Sequence, residues 1–306
     1  MSDIKIISTT AINKREYWIS EIEKLSGQFS DDTDKLSKEL SAEIKSEGIS
    51  TLLDHLRLCG DIPEQYNHDS SEEKLYSKYT DSLLSETYKA FGMRSLVMTE
   101  RADAADVEVF ANGFSFVADA KAFRLSRTAK NQKDFKVQAM DGWKRGKPYA
   151  MVVCPIYQLP TKSSQIYEQA SSRNVCVFTY SHLALLLSYS LIDGKSKAEE
   201  LLHEVFKSIP LMNPSKDTTA YWSVINKTML GFSPKLNDLW KQEKMAAIES
   251  ISVAKEQALK FLSSERDKIM RMTHDEALTE LIKVHKIESR IRVIKALSDN
   301  NILEIR

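Results

Sequence analysis

The spacing of apolar residues changes twice along the chain, and each change marks a different kind of structure. Over about the first hundred residues the apolar positions follow a helical period. Tyr17, Trp18, Ile22 and Leu25 predict a helix over 14–25. A second runs over 33–47 and stops at Gly48, and a short third follows Ser50 and stops at Gly60. Ser70 and Glu73 form the ends of a capping box, which predicts a helix continuing to about Phe91 and ending at Gly92. From about residue 95 the period shortens. Strands are predicted over 95–99, 107–111, 114–123, 149–154 and 174–180, with helical segments over 134–143 and 163–170 between the later ones. Asn112-Gly113 between two strand patterns is a hairpin signal. After Ser181 the helical period returns. The longest candidate starts near Pro234 and reaches about Met270, and a second capping box at Thr273 and Glu276 starts a helix towards Leu297. The fold class expected is α/β: a central sheet flanked by helices, with helical N- and C-terminal regions.

Composition changes this picture little. The chain has 306 residues, 42% apolar and 28% charged, values of an ordinary soluble protein with a sizeable core. No internal repeat or low-complexity linker divides it. One domain over 1–306 is expected, with a helical region at 1–69, an α/β core at 70–190 and a second helical region at 191–306. No stretch approaches the roughly 18 apolar residues that span a bilayer, so no membrane partner is expected. The first residues, MSDIKIISTT, carry no signal-peptide pattern. Cys59, Cys154 and Cys176 form no CxxC pair, and the last two read as buried thiols in strands; a cytoplasmic setting is the expectation. His55, His68, His182, His203, His274 and His285 show no metal-ligand spacing and read as structural or surface residues.

Charge is balanced globally, 43 basic against 43 acidic residues, but not locally. From Lys121 to Lys147 nine Lys and Arg face two acids, Asp134 and Asp141. A basic band on a neutral protein is an electrostatic footprint for a polyanion, or simply a solvated face.

The strand before that band carries the chemistry. Side chains of a strand alternate between faces. Phe114, Phe116, Ala118 and Ala120 share one face; Ser115, Val117, Asp119 and Lys121 share the other. Folding the hairpin brings Asp106, at the start of the preceding strand, towards Asp119. Two converging carboxylates repel and are costly to bury alone. A divalent cation resolves that cost, and hard oxygen ligands suit Mg²⁺.

An acid, a gap and then Asp-x-Lys is the minimal signature of the PD-(D/E)xK nuclease superfamily. By itself it is weak. The stretch VADAKAFRLSRTAKNQKDFKV, from Val117, resembles more specifically the HindIII-type Type II restriction endonucleases. EEKLYSK from Glu72, ADV at 105–107 and SQIYEQ from Ser164 resemble them in the same order, so the similarity covers about 70–186. That resemblance implies a mixed central β-sheet of the PD-(D/E)xK type. It implies Asp106 and Asp119 as metal-binding acids, the Ala120 carbonyl as a further ligand and Lys121 as the catalytic lysine. Ala105 stands where the superfamily has proline, which sets backbone shape only. An upstream helical acid often joins such sites. Glu73 and Glu86 both qualify, Glu86 being favoured because it shares a helix face with Tyr79 and Leu83, and Glu108 is a further possible acid.

The activity implied is Mg²⁺-dependent hydrolysis of double-stranded DNA at a short palindrome, by resemblance AAGCTT cut between its two adenines, leaving 5′-phosphate ends. Arg124, Arg127, Lys130 and Lys133 then suit phosphates or guanine, and Asn131 and Gln132 suit adenine edges. A palindrome and one site per chain imply a homodimer. The alternatives are a repair or junction-resolving nuclease of the same superfamily, or a non-catalytic DNA-binding protein.

Overall fold

The period-2 segments in the middle of the chain form a five-stranded mixed sheet in the order β1-β2-β3-β4-β5. The structure is a computed structural model and describes residues 5–98, 104–127, 132–160 and 163–295. The strands are β1 (Arg94–Val97), β2 (Val107–Phe110), β3 (Ser115–Ala120), β4 (Tyr149–Cys154) and β5 (Val175–Thr179). β1, β2 and β3 pair antiparallel; β3, β4 and β5 pair parallel. The hairpin between β2 and β3 turns at Asn112-Gly113. Gly113 has φ of 86°, which suits glycine, and Ala111 N donates to Phe114 O at 2.9 Å to close the turn.

β4 and β5 are almost wholly apolar and buried, as parallel strands covered on both faces are. β3 is also buried on both faces, so its alternation is invisible in burial alone. The strand expected over 114–123 leaves the sheet sooner. Lys121 N still donates to Val153 O at 2.7 Å, but Phe123 N turns to Gly60 O at 3.1 Å. Gly60 also lies close against Pro155, the residue after β4: a Cβ there would stand 2.7 Å from the Cβ of Pro155.

Two compact units make up the chain, residues 1–258 and 259–306. The first begins with α1 (Thr9–Glu23), α2 (Phe29–Glu47), α3 (Ile49–Leu58) and α4 (Ser71–Ala90). α5 (Gln132–Phe135), α6 (Val137–Trp143) and α7 (Gln165–Ser172) lie between the parallel strands. The helix expected over 134–143 is split at Lys136, whose φ of 48° is left-handed. α8 (Tyr180–Asp193), α9 (Lys195–Ser208), α10 (Thr218–Phe232) and most of α11 (Lys235–Met270) follow.

α4 is the helix that positions the site. One side of it is anchored to the N-terminal helices. Tyr79 packs on Trp18 and His55, with ring centroids 5.7 and 5.8 Å away, and its hydroxyl hydrogen-bonds His55 Nδ1 at 2.7 Å. Tyr76 accepts from the buried Arg15 at 3.1 Å, and Arg15 also pairs with buried Asp61 at 2.6 Å and donates to Leu58 O. Removing one member of such a buried pair costs about 3–5 kcal/mol, because the other charge is left desolvated. A helix turns about 100° per residue, so Lys78 and Asp81 lie roughly opposite this anchored side. α4 packs against β1, β2 and β3.

In the second unit, α12 (His274–Val284) begins at the Thr273–Glu276 capping box, both of whose bonds form. The helix expected to reach Leu297 breaks at Lys286, with φ of 54°, and restarts as α13 (Ile287–Lys295). No residue of α12 or α13 is buried, and Leu281, Val284, Val293 and Ile294 among others are exposed. Along α11, Ala246 is buried and Leu239 packs on the main core, whereas Leu262 is exposed. Among the described residues no helix is long and apolar enough to cross a membrane.

Candidate active site

The register of the β2–β3 hairpin decides which acids meet. Val107 stands opposite Ala118, so one step further Asp106 stands opposite Asp119. Met98 N donates to Asp106 O at 2.8 Å and holds that end of the hairpin to the β1 side. Past Ala120, which pairs with Val153, the Lys121 carbonyl accepts from Tyr180 Oη at 3.1 Å. The strand end is therefore pinned on both sides of Asp119.

Asp119 is fully buried, and neither of its carboxylate oxygens receives a hydrogen bond of ordinary geometry. The Lys121 ammonium contacts Oδ2 as an ion pair. α4 adds a third acid. Carboxylate oxygens of Asp81, Asp106 and Asp119 lie within 4.8 Å of one another. Lys78, one turn before Asp81, bridges Asp81 Oδ2 at 3.0 Å and Asp106 Oδ1 at 3.2 Å. Three carboxylates therefore face two ammonium groups.

The proton affinities follow this crowding. Burial pushes Asp119 up, and the neighbouring Asp106 adds to it against the pull of Lys121. Burial likewise raises Asp81, reinforced by the charge of Asp106. Burial alone would also raise Asp106, but the neighbouring Asp119 carboxyl and the charges of Lys78 and Lys121 prevail and lower it. Lys121 is raised: burial opposes its charge, and Asp119 outweighs burial. A buried carboxylate without hydrogen bonds, three carboxyl groups facing two ammonium groups and an all-oxygen donor set fit a hard divalent cation. Asp81, Asp106 and Asp119 are the side chains that would hold it.

Of the site residues expected from sequence, Asp106, Asp119 and Lys121 come together, with Ala120 between the last two. Glu86 does not join them. It does share a helix face with Tyr79, but that face turns to the N-terminal helices, where Glu86 accepts from Ser41 of α2 at 3.2 Å and pairs with Lys89 at 2.8 Å. Glu73 accepts from Asp69 N at 2.6 Å and pairs with Arg124 at 3.4 Å. Its own N–H goes to Ser70 Oγ at 3.2 Å, so the box at this helix start is closed on one side only. Glu108 pairs with Lys147 at 3.3 Å. Asp81 and Lys78 were not singled out in the sequence. Asp81 lies in a run of α4, Tyr79 to Ser85, that is buried throughout although Thr80, Ser82 and Ser85 are polar.

The basic band is more committed than its composition suggests. Arg124 donates to Pro63 O at 3.2 Å and Asn67 O at 3.1 Å. Arg127 pairs with Asp134 and lies over Phe123. Lys144 pairs with Asp141 at 3.0 Å, and Lys136 sits over Trp143, 5.6 Å from the ring centroid. Lys130 and Asn131 lie outside the described residues, as do the side chains of Gln132 and Lys133. All three cysteines are free thiols buried in the core. His55 and His182 are buried in hydrogen-bonded aromatic clusters, and His203 stacks on Phe114 at 4.2 Å.

Sequence comparison identifies the family to which this mixed sheet, with its converging acids and lysine, belongs. The model of the HindIII restriction endonuclease family matches residues 15–298. The chain is 33% identical over 255 residues to the Type II restriction enzyme HindIII of Haemophilus influenzae (strain ATCC 51907 / DSM 11121 / KW20 / Rd), covering 79% of this chain and 82% of that protein. The chain belongs to the HindIII family of Type II restriction endonucleases. DNA is the substrate that this family implies, and such enzymes generally use a divalent metal.

Proposed function

We propose that the protein is a Mg²⁺-dependent endonuclease that cuts both strands of AAGCTT between the two adenines, leaving 5′-phosphate and 3′-hydroxyl ends. The observation that carries this reading is the convergence of Asp106, Asp119 and Lys121 at the end of the hairpin, inside the segment that resembles the family most closely. Asp106, Asp119 and the Ala120 carbonyl, joined by Asp81, would hold the ion. When bound, it supplies Lewis acidity at the scissile phosphate and a more acidic water.

The residues of the chain do the rest. Water attacks phosphorus and the bond to the 3′ oxygen breaks, so no covalent enzyme intermediate forms. Lys121, held at a pinned strand end, orients the attacking water and offsets charge developing on the phosphate oxygens. Lys130 and Lys133 contact backbone phosphates and position the duplex, while Asn131 and Gln132 face adenine edges. Two chains related by a two-fold axis place one site on each strand of the palindrome.

Digestion of a plasmid with and without Mg²⁺ tests this reading. Discrete fragments ending at AAGCTT, formed only with Mg²⁺, are expected. A smear of fragments would favour a non-specific repair nuclease instead, and intact plasmid with retained DNA binding would favour a non-catalytic protein.

A further inference from the structure

Lys78 has no role in the chemistry described above, yet it touches two of the three acids. Its ammonium bridges Asp81 at 3.0 Å and Asp106 at 3.2 Å. Those acids come from different elements, α4 and the edge of β2, far apart in the chain. An ordinary surface pair one helical turn apart contributes little to stability. This one differs in two respects. It reaches a second acid on the sheet, and its Asp81 partner has a side chain only 3% exposed.

Without Lys78, carboxylates within 4.8 Å of one another would be left to Lys121 alone, which is already paired with Asp119. Like charges this close in a poorly solvated site repel strongly. Any cation that takes oxygens of Asp81 and Asp106 must also contend with the ammonium already there.

Resting on the metal-site reading above, we infer that Lys78 is a positioning residue: a resident counter-ion that holds Asp81 and Asp106 together without metal and competes with the divalent cation for them. Lys78 thereby lowers the affinity of the site for the ion while keeping the empty site folded.

Melting temperature and Mg²⁺ affinity, measured on the full chain without DNA, test this apart from catalysis. Lys78→Met should lower the Tm in EDTA by roughly 5 °C, because the acids lose their shared counter-charge. Mg²⁺ should raise the Tm of this variant more than that of wild type, and calorimetric titration should give it about tenfold tighter Mg²⁺ binding. The double variant Lys78→Met/Asp81→Asn, which removes one charge of each sign, should regain most of the Tm lost in EDTA. If Lys78→Met does not fold in EDTA, the double variant carries the test, and its failure to fold would overturn the inference. An equal Tm loss with and without Mg²⁺, with unchanged Mg²⁺ affinity, would reduce Lys78 to a plain structural ion pair. A wild-type protein that binds no Mg²⁺ would overturn both this inference and the metal site. Wild-type binding with no change in the variant would overturn the inference alone.

Discussion

Asp106 and Asp119 face each other one step beyond the last paired residues of the β2–β3 hairpin, yet their proton affinities move in opposite directions. Burial drives Asp119 up, while Asp106, paired with Lys78 and next to Asp119, goes down despite its own burial. A divalent cation would relieve the cost of burying Asp119 as a carboxylate. Asp119→Asn keeps size and removes the charge, so cleavage should fall by at least about 100-fold, the upper range seen when even an outer partner of a metal ligand is lost. DNA binding should stay within about threefold of wild type, since the proposed phosphate contacts of Lys130 and Lys133 are untouched. Cleavage rate and filter binding on the same duplex check this. A variant that cuts at near wild-type rate would remove Asp119 from the metal site.

Most of the framework was legible because two periodicities carried it. The strands were read to within about three residues at their ends, and the hairpin followed from Asn112-Gly113. Asp119 and Lys121 stood out because charge is rare in a strand buried on both faces. The helical acid was not legible for the opposite reason. α4 is covered on more than one side, so sharing a face with Tyr79 says that Glu86 points inward, not whether it points to α2 or to the sheet. Asp81, three residues after Lys78, has the spacing of a common surface pair, and only the tertiary packing reveals what it meets. The basic band misled in part, since composition counts charges without their partners: Arg124 serves the loop from Pro63 to Asn67.

Arg124 and the lysines beyond it should therefore separate experimentally. Arg124→Ala removes charge-assisted bonds to three carbonyls and the pair with Glu73, and should cost about 2 kcal/mol of stability. The slope of log affinity for DNA against log salt should be unchanged. Lys130→Ala with Lys133→Ala should leave stability alone and flatten that slope. Denaturant melts and salt titrations on both proteins decide it, and the reverse outcome would exchange the two roles.

Acid should weaken the fold through His182. Burial pushes this imidazole from 6.5 down to about 4, only partly offset by its hydrogen bond with Asn226 at 2.9 Å. Between those values the unfolded chain binds a proton that the folded protein refuses. The contribution is fully present above pH 6.5 and is lost as pH falls towards about 4, a loss of about 3 kcal/mol in all. His182→Gln should lose less stability than wild type between pH 7 and pH 4.5, measured by urea unfolding at each pH. Equal losses in the two proteins would show that His182 is protonated without cost.

Assembly is testable without catalysis. A two-fold palindrome read by a chain with one such site calls for two chains. Sedimentation equilibrium at micromolar concentration, with and without a short AAGCTT duplex, should give two chains per duplex. One chain per duplex that still breaks both strands in a single encounter would contradict the symmetric arrangement.

The central claim is that Asp106, Asp119 and Lys121 form a Mg²⁺-dependent phosphodiesterase site specific for AAGCTT. Its most direct test is single-turnover cleavage of an end-labelled duplex carrying one AAGCTT, with the cut mapped to the nucleotide on each strand. One cut per strand between the two adenines, with a 5′-phosphate end, is expected in Mg²⁺ and not in EDTA, and its loss is expected in Lys121→Ala. Equal cleavage in EDTA, or cuts placed without regard to AAGCTT, would contradict it.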